Sequence, residues 1–330
     1  MSDAITDLFH RSRKPCGGWF ALLIFFAVTL GQPAPARAAG ATARSPSQIT
    51  DQIIALLEEF LRADFIDPAS IQTAVVQKIQ QPRHLLFHSI TLMHKVERLK
   101  FINGLKPTAR LENSFQVSAG GDALVIRLQT ILDDLRELRP LYAGPDNLSG
   151  GHPPDTRPAR PLLEKISYAG AMVEALGVSG PVPNDVYRLA LMINQGLAAI
   201  LGLPDNKPEA LRKRSSGKIP ADAYAKGLAV LTALKFLVDK NPGLNIDGGI
   251  QLPRRPDEEI TPAHVQYLLS DILADVTAIR AASGGPPVAR DPGEQVGKIP
   301  SDVFDALGIA LHLAQRLSNG RLKLSKIEKE

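Results

Sequence analysis

Apolar residues recur along this chain at steps of three and four, the spacing that gathers them on one stripe of an α-helix. The clearest stripe begins at Pro220, where Tyr224, Gly227, Leu231, Leu234 and Val238 share a face while Asp222, Lys226 and Ala233 fall elsewhere. The same register starts at Pro183 (Tyr187, Ala190, Asn194, Leu197, Leu201), at Pro262 (Gln266, Leu269, Leu273, Val276, Arg280) and at Pro300 (Phe304, Leu307, Leu311, Ala314, Ser318). Successive prolines are 37, 42 and 38 residues apart. A near-constant step of this size marks a repeated structural unit. No stretch alternates apolar and polar residues convincingly enough to predict a strand.

Each stripe opens on a variant of one motif. Gly217-Lys218-Ile219-Pro220-Ala221-Asp222-Ala223-Tyr224 returns as Gly297-Lys298-Ile299-Pro300-Ser301-Asp302-Val303-Phe304, with looser copies around Pro183 and Pro262. Proline suits the first helical turn, where the amide it lacks would go unpaired anyway. Asp185, Asp222 and Asp302 follow two residues later, placed to meet free backbone N–H groups and the positive end of the helix dipole. His264 stands at that position in the fourth copy and predicts a weaker cap. Val182, Ile219 and Ile299 precede the prolines and predict a hydrophobic staple onto Tyr187, Tyr224 and Phe304.

The earlier half is helical by the same criteria. Residues 50–65 are amphipathic, with Ile53, Ile54, Leu57, Phe60 and Leu61 on one side. Asp67-Pro68 predicts a second helix running to about residue 80. Pro82 opens a third that stops at Asn103-Gly104 and echoes the stretch at Pro262, with His84 matching His264. Further helices are predicted from about Gly120 to Tyr142 and over 162–176. Residues 144–161 are rich in proline and glycine and read as a linker. The connections over 203–219, 241–261 and 283–299 exceed the roughly 2–8 residues usual between helices. Such connections can run back along a helix, so neighbouring helices need not be antiparallel. The predicted fold is all-α, a helical repeat or bundle of about 40-residue units in two bundle-like halves. The division is 1–38 leader, 39–143 N-terminal half, 144–161 linker, 162–320 C-terminal half and 321–330 charged tail.

Residues 1–38 carry the pattern of a secretory signal peptide: a basic region (Arg11, Arg13, Lys14), an apolar run from Trp19 to Leu30, and Ala36-Arg37-Ala38. Cleavage is expected after Ala38, which places the mature chain in the periplasm or outside the cell, with no membrane span. The formal charge of +4 falls to +2 without the leader, although the sequence pI is about 9.1. So small an excess argues against nucleic acid as a partner. The single cysteine, Cys16, lies in the leader, so no disulfide, cysteine nucleophile or cysteine metal site is expected in the mature chain.

Candidate chemistry is sparse. His84 and His88 are one helical turn apart, but no glutamate stands beside the first as a zinc-protease pattern requires. Leu85, Leu86, Ile90, Met93 and Val96 define the apolar face of that helix, which predicts both imidazoles on a solvated side. Asn194 occupies a core position held by leucine in the other three repeats (Leu231, Leu273 and Leu311). It is expected to set packing register, or with Tyr187 to line a small pocket. Arg212, Lys213 and Arg214 form a basic loop that suits an anionic partner. There is no P-loop, nucleophile elbow or dinucleotide fingerprint. The sequence thus predicts an exported, non-catalytic binding or scaffold module with no cofactor and no metal, whose partner is a protein or envelope component. The alternative is a small-molecule-binding or sensor domain with a pocket between repeat helices.

Overall fold

In the computed structural model, which describes residues 44–73, 81–106, 122–142, 160–203, 214–285 and 291–319, eight α-helices carry the chain. They are α1 (Pro46–Ala63), α2 (Pro82–Ile102), α3 (Ala123–Tyr142), α4 (Leu162–Ala175), α5 (Pro183–Ile200), α6 (Pro220–Lys240), α7 (Pro262–Ala282) and α8 (Pro300–Asn319). No strand occurs among the described residues. No helix among them is long and apolar enough to cross a membrane. The leader, the tail after residue 319 and most of the 144–161 linker lie outside the described residues.

The repeated helix starts work as one device. In α5, α6 and α8 the backbone N–H of Val182, Ile219 and Ile299 donates to Oδ2 of Asp185, Asp222 and Asp302, at 3.2, 3.2 and 3.0 Å. This is the returning half of a capping box, and each carboxylate also meets the positive end of its helix. In α2 and α7 a histidine takes the same place. Gln81 N–H donates to His84 Nδ1 at 3.4 Å, and Thr261 N–H to His264 Nδ1 at 3.1 Å. The cap predicted to weaken at His264 is therefore supplied by an imidazole. A ring nitrogen that accepts carries no proton, so both rings keep theirs on Nε2.

The residues predicted to act as staples stay open to solvent. Ile219 and Ile299 are 58% and 55% exposed, and Val182 also faces solvent. Lysines from neighbouring motif copies cover two of the aromatic rings instead. Lys298 Nζ lies 4.6 Å from the ring centre of Tyr187, and Lys218 and Lys226 lie 4.7 and 4.6 Å from that of Phe304. The motifs also bond across helices: Lys218 N–H donates to Ser301 Oγ, and Lys298 N–H to Asn184 Oδ1.

Those bonds join helix starts to helix starts, so α5, α6 and α8 run parallel. In α7, Val276 meets Gly196 of α5, while Leu268 and Ile272 meet Gly227 of α6, which makes it parallel as well. The first four helices behave alike. Lys165 at the start of α4 bonds Ser47 and Asp51 at the start of α1. Tyr142 at the end of α3 stacks on Phe60 of α1 and receives the Asn103 amide that caps α2. Each set of four packs as a ring, in the orders α1–α3–α2–α4 and α5–α7–α6–α8. A helix of twenty residues is about 30 Å long, so a parallel successor needs a return path of at least about nine extended residues. The long connections provide it.

Each ring encloses its own apolar core. Leu57, Phe60, Val96, Leu99, Ile131 and Leu135 belong to the first, and Ile193, Leu234, Leu269, Ile272 and Leu307 to the second. Helix α4, expected with the C-terminal half, packs on α1 and α2, and its Ile166 and Met172 sit in the first core. The described residues, from Arg44 on, form one compact unit. The helix predicted to begin at Asp67 is only a 3-10 turn, Pro68–Ser70; Asp67 caps Ala69 N–H at 2.9 Å and the chain is extended at Ile71. Residues 74–80 lie outside the described set.

Four helix ends close with a six-residue backbone return, for example Leu105 N–H to Lys100 O at 2.9 Å and Ile66 N–H to Leu61 O at 2.8 Å. The left-handed residue is Gly104, Gly202 or Gly284 in α2, α5 and α7, but Phe65 (φ 59°) in α1. Helix α1 was expected to include Phe65 and ends before it.

Two glycines give opposite predictions. A Cβ on Gly196 would stand 2.6 Å from the stiff Val276 Cγ1, whereas a Cβ on Gly308 meets nothing within 4 Å. Gly196→Ala should lower stability by about 1–2 kcal/mol after its helix-propensity gain, and Gly308→Ala should raise it by up to about 1 kcal/mol. Urea unfolding of both variants checks the pair.

Candidate functional site: the seam between α2 and α7

Helix α2 is buried on two sides. Leu92, Met93, Val96 and Leu99 enter the first core, while Phe87 and Ile90 reach into the second. Between these faces, α2 lies against α7. The two run antiparallel: His84 meets Asp275 and His88 meets Asp271. The two parallel bundles are therefore opposed in direction and share one seam.

The seam buries charge. Asp275, 1% exposed, accepts from Arg83 Nε at 2.7 Å and from His84 Nε2 at 3.0 Å through the same oxygen. The other two guanidinium nitrogens of Arg83 donate to Asp247 O and Gly249 O, each at 2.6 Å, which ties the loop after α6 to the start of α2. One turn along, His88 Nε2 donates to Asp271 Oδ1 at 2.9 Å, and its ring packs on Tyr267 with centroids 4.1 Å apart. Burial raises the Tyr267 phenol above its ordinary range, with the Asp271 charge adding to it. His264, the capping residue of α7, turns its Nε2 to Glu258 at 3.0 Å.

The solvated placement predicted for His84 and His88 is thus overturned; they are 5% and 6% exposed. A helical wheel identifies the face turned to one core, and α2 has a second partner that the wheel does not represent. The complementary signal lay in α7. Asp271 and Asp275 repeat the four-residue spacing of the histidines, in a helix with apolar residues almost all round, the mark of burial on every side. Among the described residues no group of three or more His, Cys, Asp or Glu side chains is placed to hold a metal ion.

Two cavities open along the seam. One, of about 410 Å3, is bounded by His94, Arg98 and Phe101 of α2, Asn184 and Arg188 of α5, and Gln266 of α7. The other, of about 320 Å3, is bounded by His88, Tyr267, His264 and Ser270 on one side and by Ser167 and Glu174 of α4 on the other. Charges at their mouths are matched in pairs: Arg98 with Asp185 and Lys95 with Glu174, both at 2.5 Å. Arg188 makes a two-pronged contact with Asp291, which burial pushes up and the guanidinium pulls further down, leaving it below its ordinary value. Burial, with Arg188 adding to it, pushes the His94 imidazole down to about 3.

The residues singled out from sequence lie elsewhere. Asn194 is buried and donates to Ala306 O of α8 at 3.0 Å, inside the second core. Tyr187, two turns earlier on α5, is half-buried beneath Lys298. Arg214 is exposed, and Arg212 and Lys213 lie outside the described residues. No protein-family model, curated protein or solved structure matches the chain.

Removing the Asp275 carboxylate leaves the partly buried Arg83 without its counter-charge and the buried His84 without its hydrogen-bond acceptor. Asp275→Ala should therefore cost about 3–5 kcal/mol, read by urea unfolding. His94 gives a pH prediction. Its folded pKa lies below the ordinary 6.5, so the unfolded chain binds the proton more readily. Its contribution is complete above about 6.5 and is lost as pH falls towards 3. Unfolding midpoints at pH 7.5 and pH 5 should differ less in His94→Gln than in the wild type.

Proposed function

We propose that this protein is an exported, non-catalytic binding or scaffold module that holds a protein or cell-envelope partner against one end of its paired bundles. Export is supported by the basic, apolar and small-residue pattern of residues 1–38. Binding is supported by where the exposed apolar side chains lie. Opposed bundles bring the C-terminal ends of α1–α4 and the N-terminal ends of α5–α8 to the same pole. Arg98, in the last turns of α2, accordingly bonds Asp185 in the first turn of α5.

Eleven large apolar side chains are exposed among the described residues. Eight belong to that pole: Phe65, Phe101, Ile102 and Leu141 from the first bundle, and Val182, Ile219, Val296 and Ile299 from the second. Single exposed apolar residues are ordinary, whereas a concentration of them marks an interaction surface. Phe65 is the sharpest member. It is 99% exposed and left-handed, at a position where three sister helices use glycine. That conformation costs roughly 1–2 kcal/mol for a side-chain-bearing residue, and solvent returns nothing for it. Arg214 stands at the same pole, since the neighbouring Ser215 N–H bonds Asp305 in the first turns of α8. It supplies a salt-sensitive component next to the apolar one.

The test compares capture of envelope components by immobilised wild type and variants. Phe65→Gly should raise stability by about 1 kcal/mol while weakening capture. The Ile219→Ser/Ile299→Ser double variant should remain folded and lose it. Equal capture by all three proteins would reject the pole as the binding surface.

A further inference from the structure

We propose that the groove along the α2–α7 seam binds a neutral, hydroxyl-rich ligand of the size of a short saccharide. It adjoins the apolar pole, with which it shares Phe101 and Val182, and does not depend on that reading. The two seam cavities share Thr91, Lys95, Pro181 and Gln266, so they are successive chambers of one groove. Their volumes, about 410 and 320 Å3, fall within the roughly 300–1,000 Å3 of small-molecule sites.

The lining selects the chemistry. Its charges lie beside opposite ones: Arg98 with Asp185, Lys95 with Glu174, Arg188 with the neighbouring Asp291 and His264 with Glu258, while Glu294 acts on Arg98 and Glu97 on Lys100. An ionic ligand would have to break one of these pairs or leave its own charge facing a like one. A hydroxyl group makes no such demand, because it donates and accepts at once. Arg98 directs two bonds at Asp185, and a guanidinium carries five N–H donors. A carboxylate accepts at more sites than two bonds fill. One sugar hydroxyl can therefore bridge such a pair without disturbing it.

Uncharged polar groups stand among these charges. Thr91 of α2, Asn184 of α5 and Gln266 of α7 offer hydroxyl and amide partners from three helices. His94 stays neutral throughout the physiological range and adds hydrogen bonding without charge. At the rim Phe101, 68% exposed, presents a flat apolar ring of the kind that covers the C–H face of a pyranose. Gln266 lines both chambers and so would contact a ligand spanning them.

The test is saturation-transfer NMR and calorimetry on the purified protein, with maltose, cellobiose and diacetylchitobiose as neutral probes. Glycylglycine and succinate serve as zwitterionic and anionic counterparts. At least one disaccharide should bind at millimolar concentration or tighter, and the two charged probes should not. Phe101→Ala and Gln266→Ala, both at partly or fully exposed positions, should each weaken binding about three- to tenfold with unchanged thermal unfolding. The proposal is overturned if no disaccharide binds, if glycylglycine or succinate binds more tightly than any disaccharide, or if both variants bind as the wild type does. Loss of partner capture at the apolar pole would leave this result unaffected, since the variants used there lie outside the groove.

Discussion

Four parallel helices in one bundle bring four like ends together, and most of this structure follows from accommodating that. Each helix end carries about half an elementary charge, so a parallel bundle sets four positive ends side by side. Asp185, Asp222 and Asp302 answer this at the starts of α5, α6 and α8, each holding an N-cap amide. The second answer is global. The other bundle runs the opposite way, so its four negative ends lie at the pole where the positive ends of its neighbour gather. A parallel bundle also cannot be closed by short turns. Every connection must travel the length of a helix, and the returning segments bring Lys218 and Lys298 onto Phe304 and Tyr187 of other helices.

The α2–α7 seam holds the opposed bundles together with imidazoles hydrogen-bonded to buried carboxylates. His84 does two things with one ring: Nδ1 caps its own helix and Nε2–H bonds Asp275 of the other bundle. The cap fixes which nitrogen is protonated, and that proton is the one the seam requires. Formation of α2's first turn and docking of the bundles are thus coupled through one side chain. The grooves beside this seam exist because two cylinders meet along a line and part on either side of it.

Much of the architecture was legible in the sequence. Proline followed by an acidic residue located the starts of α5, α6 and α8, because the first helical turn tolerates the one and favours the other. The length of the connections permitted parallel neighbours. What sequence reasoning missed has one cause: residues were read against a single partner. His84 and His88 look solvent-facing on a wheel centred on the first core, and they are buried by α7. Val182 and Ile299 look like staples for their own helices, yet Tyr187 and Phe304, the rings they were expected to cover, face lysines from other repeats. Phe65 fits the apolar pattern of α1, but the helix ends two residues earlier than that pattern, at Ala63, with Asp64 as its cap and Phe65 left-handed beyond it. The seam could have been suspected from matching four-residue spacings, two histidines in α2 and two aspartates in α7.

Helix direction underlies the shared pole, the long connections and the seam, so it is the point to test. Spin labels would be placed by cysteine substitution, with Cys16 replaced by serine, at Ile219 with Ile299 in one protein and at Ile219 with Gln315 in another. All three positions are exposed. Electron–electron resonance distances should be shorter for the first pair by about 15 Å, because α8 rises about 24 Å between those sites and lies about 10 Å from α6. A shorter distance for the second pair would mean that α6 and α8 are antiparallel, and the account of the pole and of the opposed bundles would be wrong.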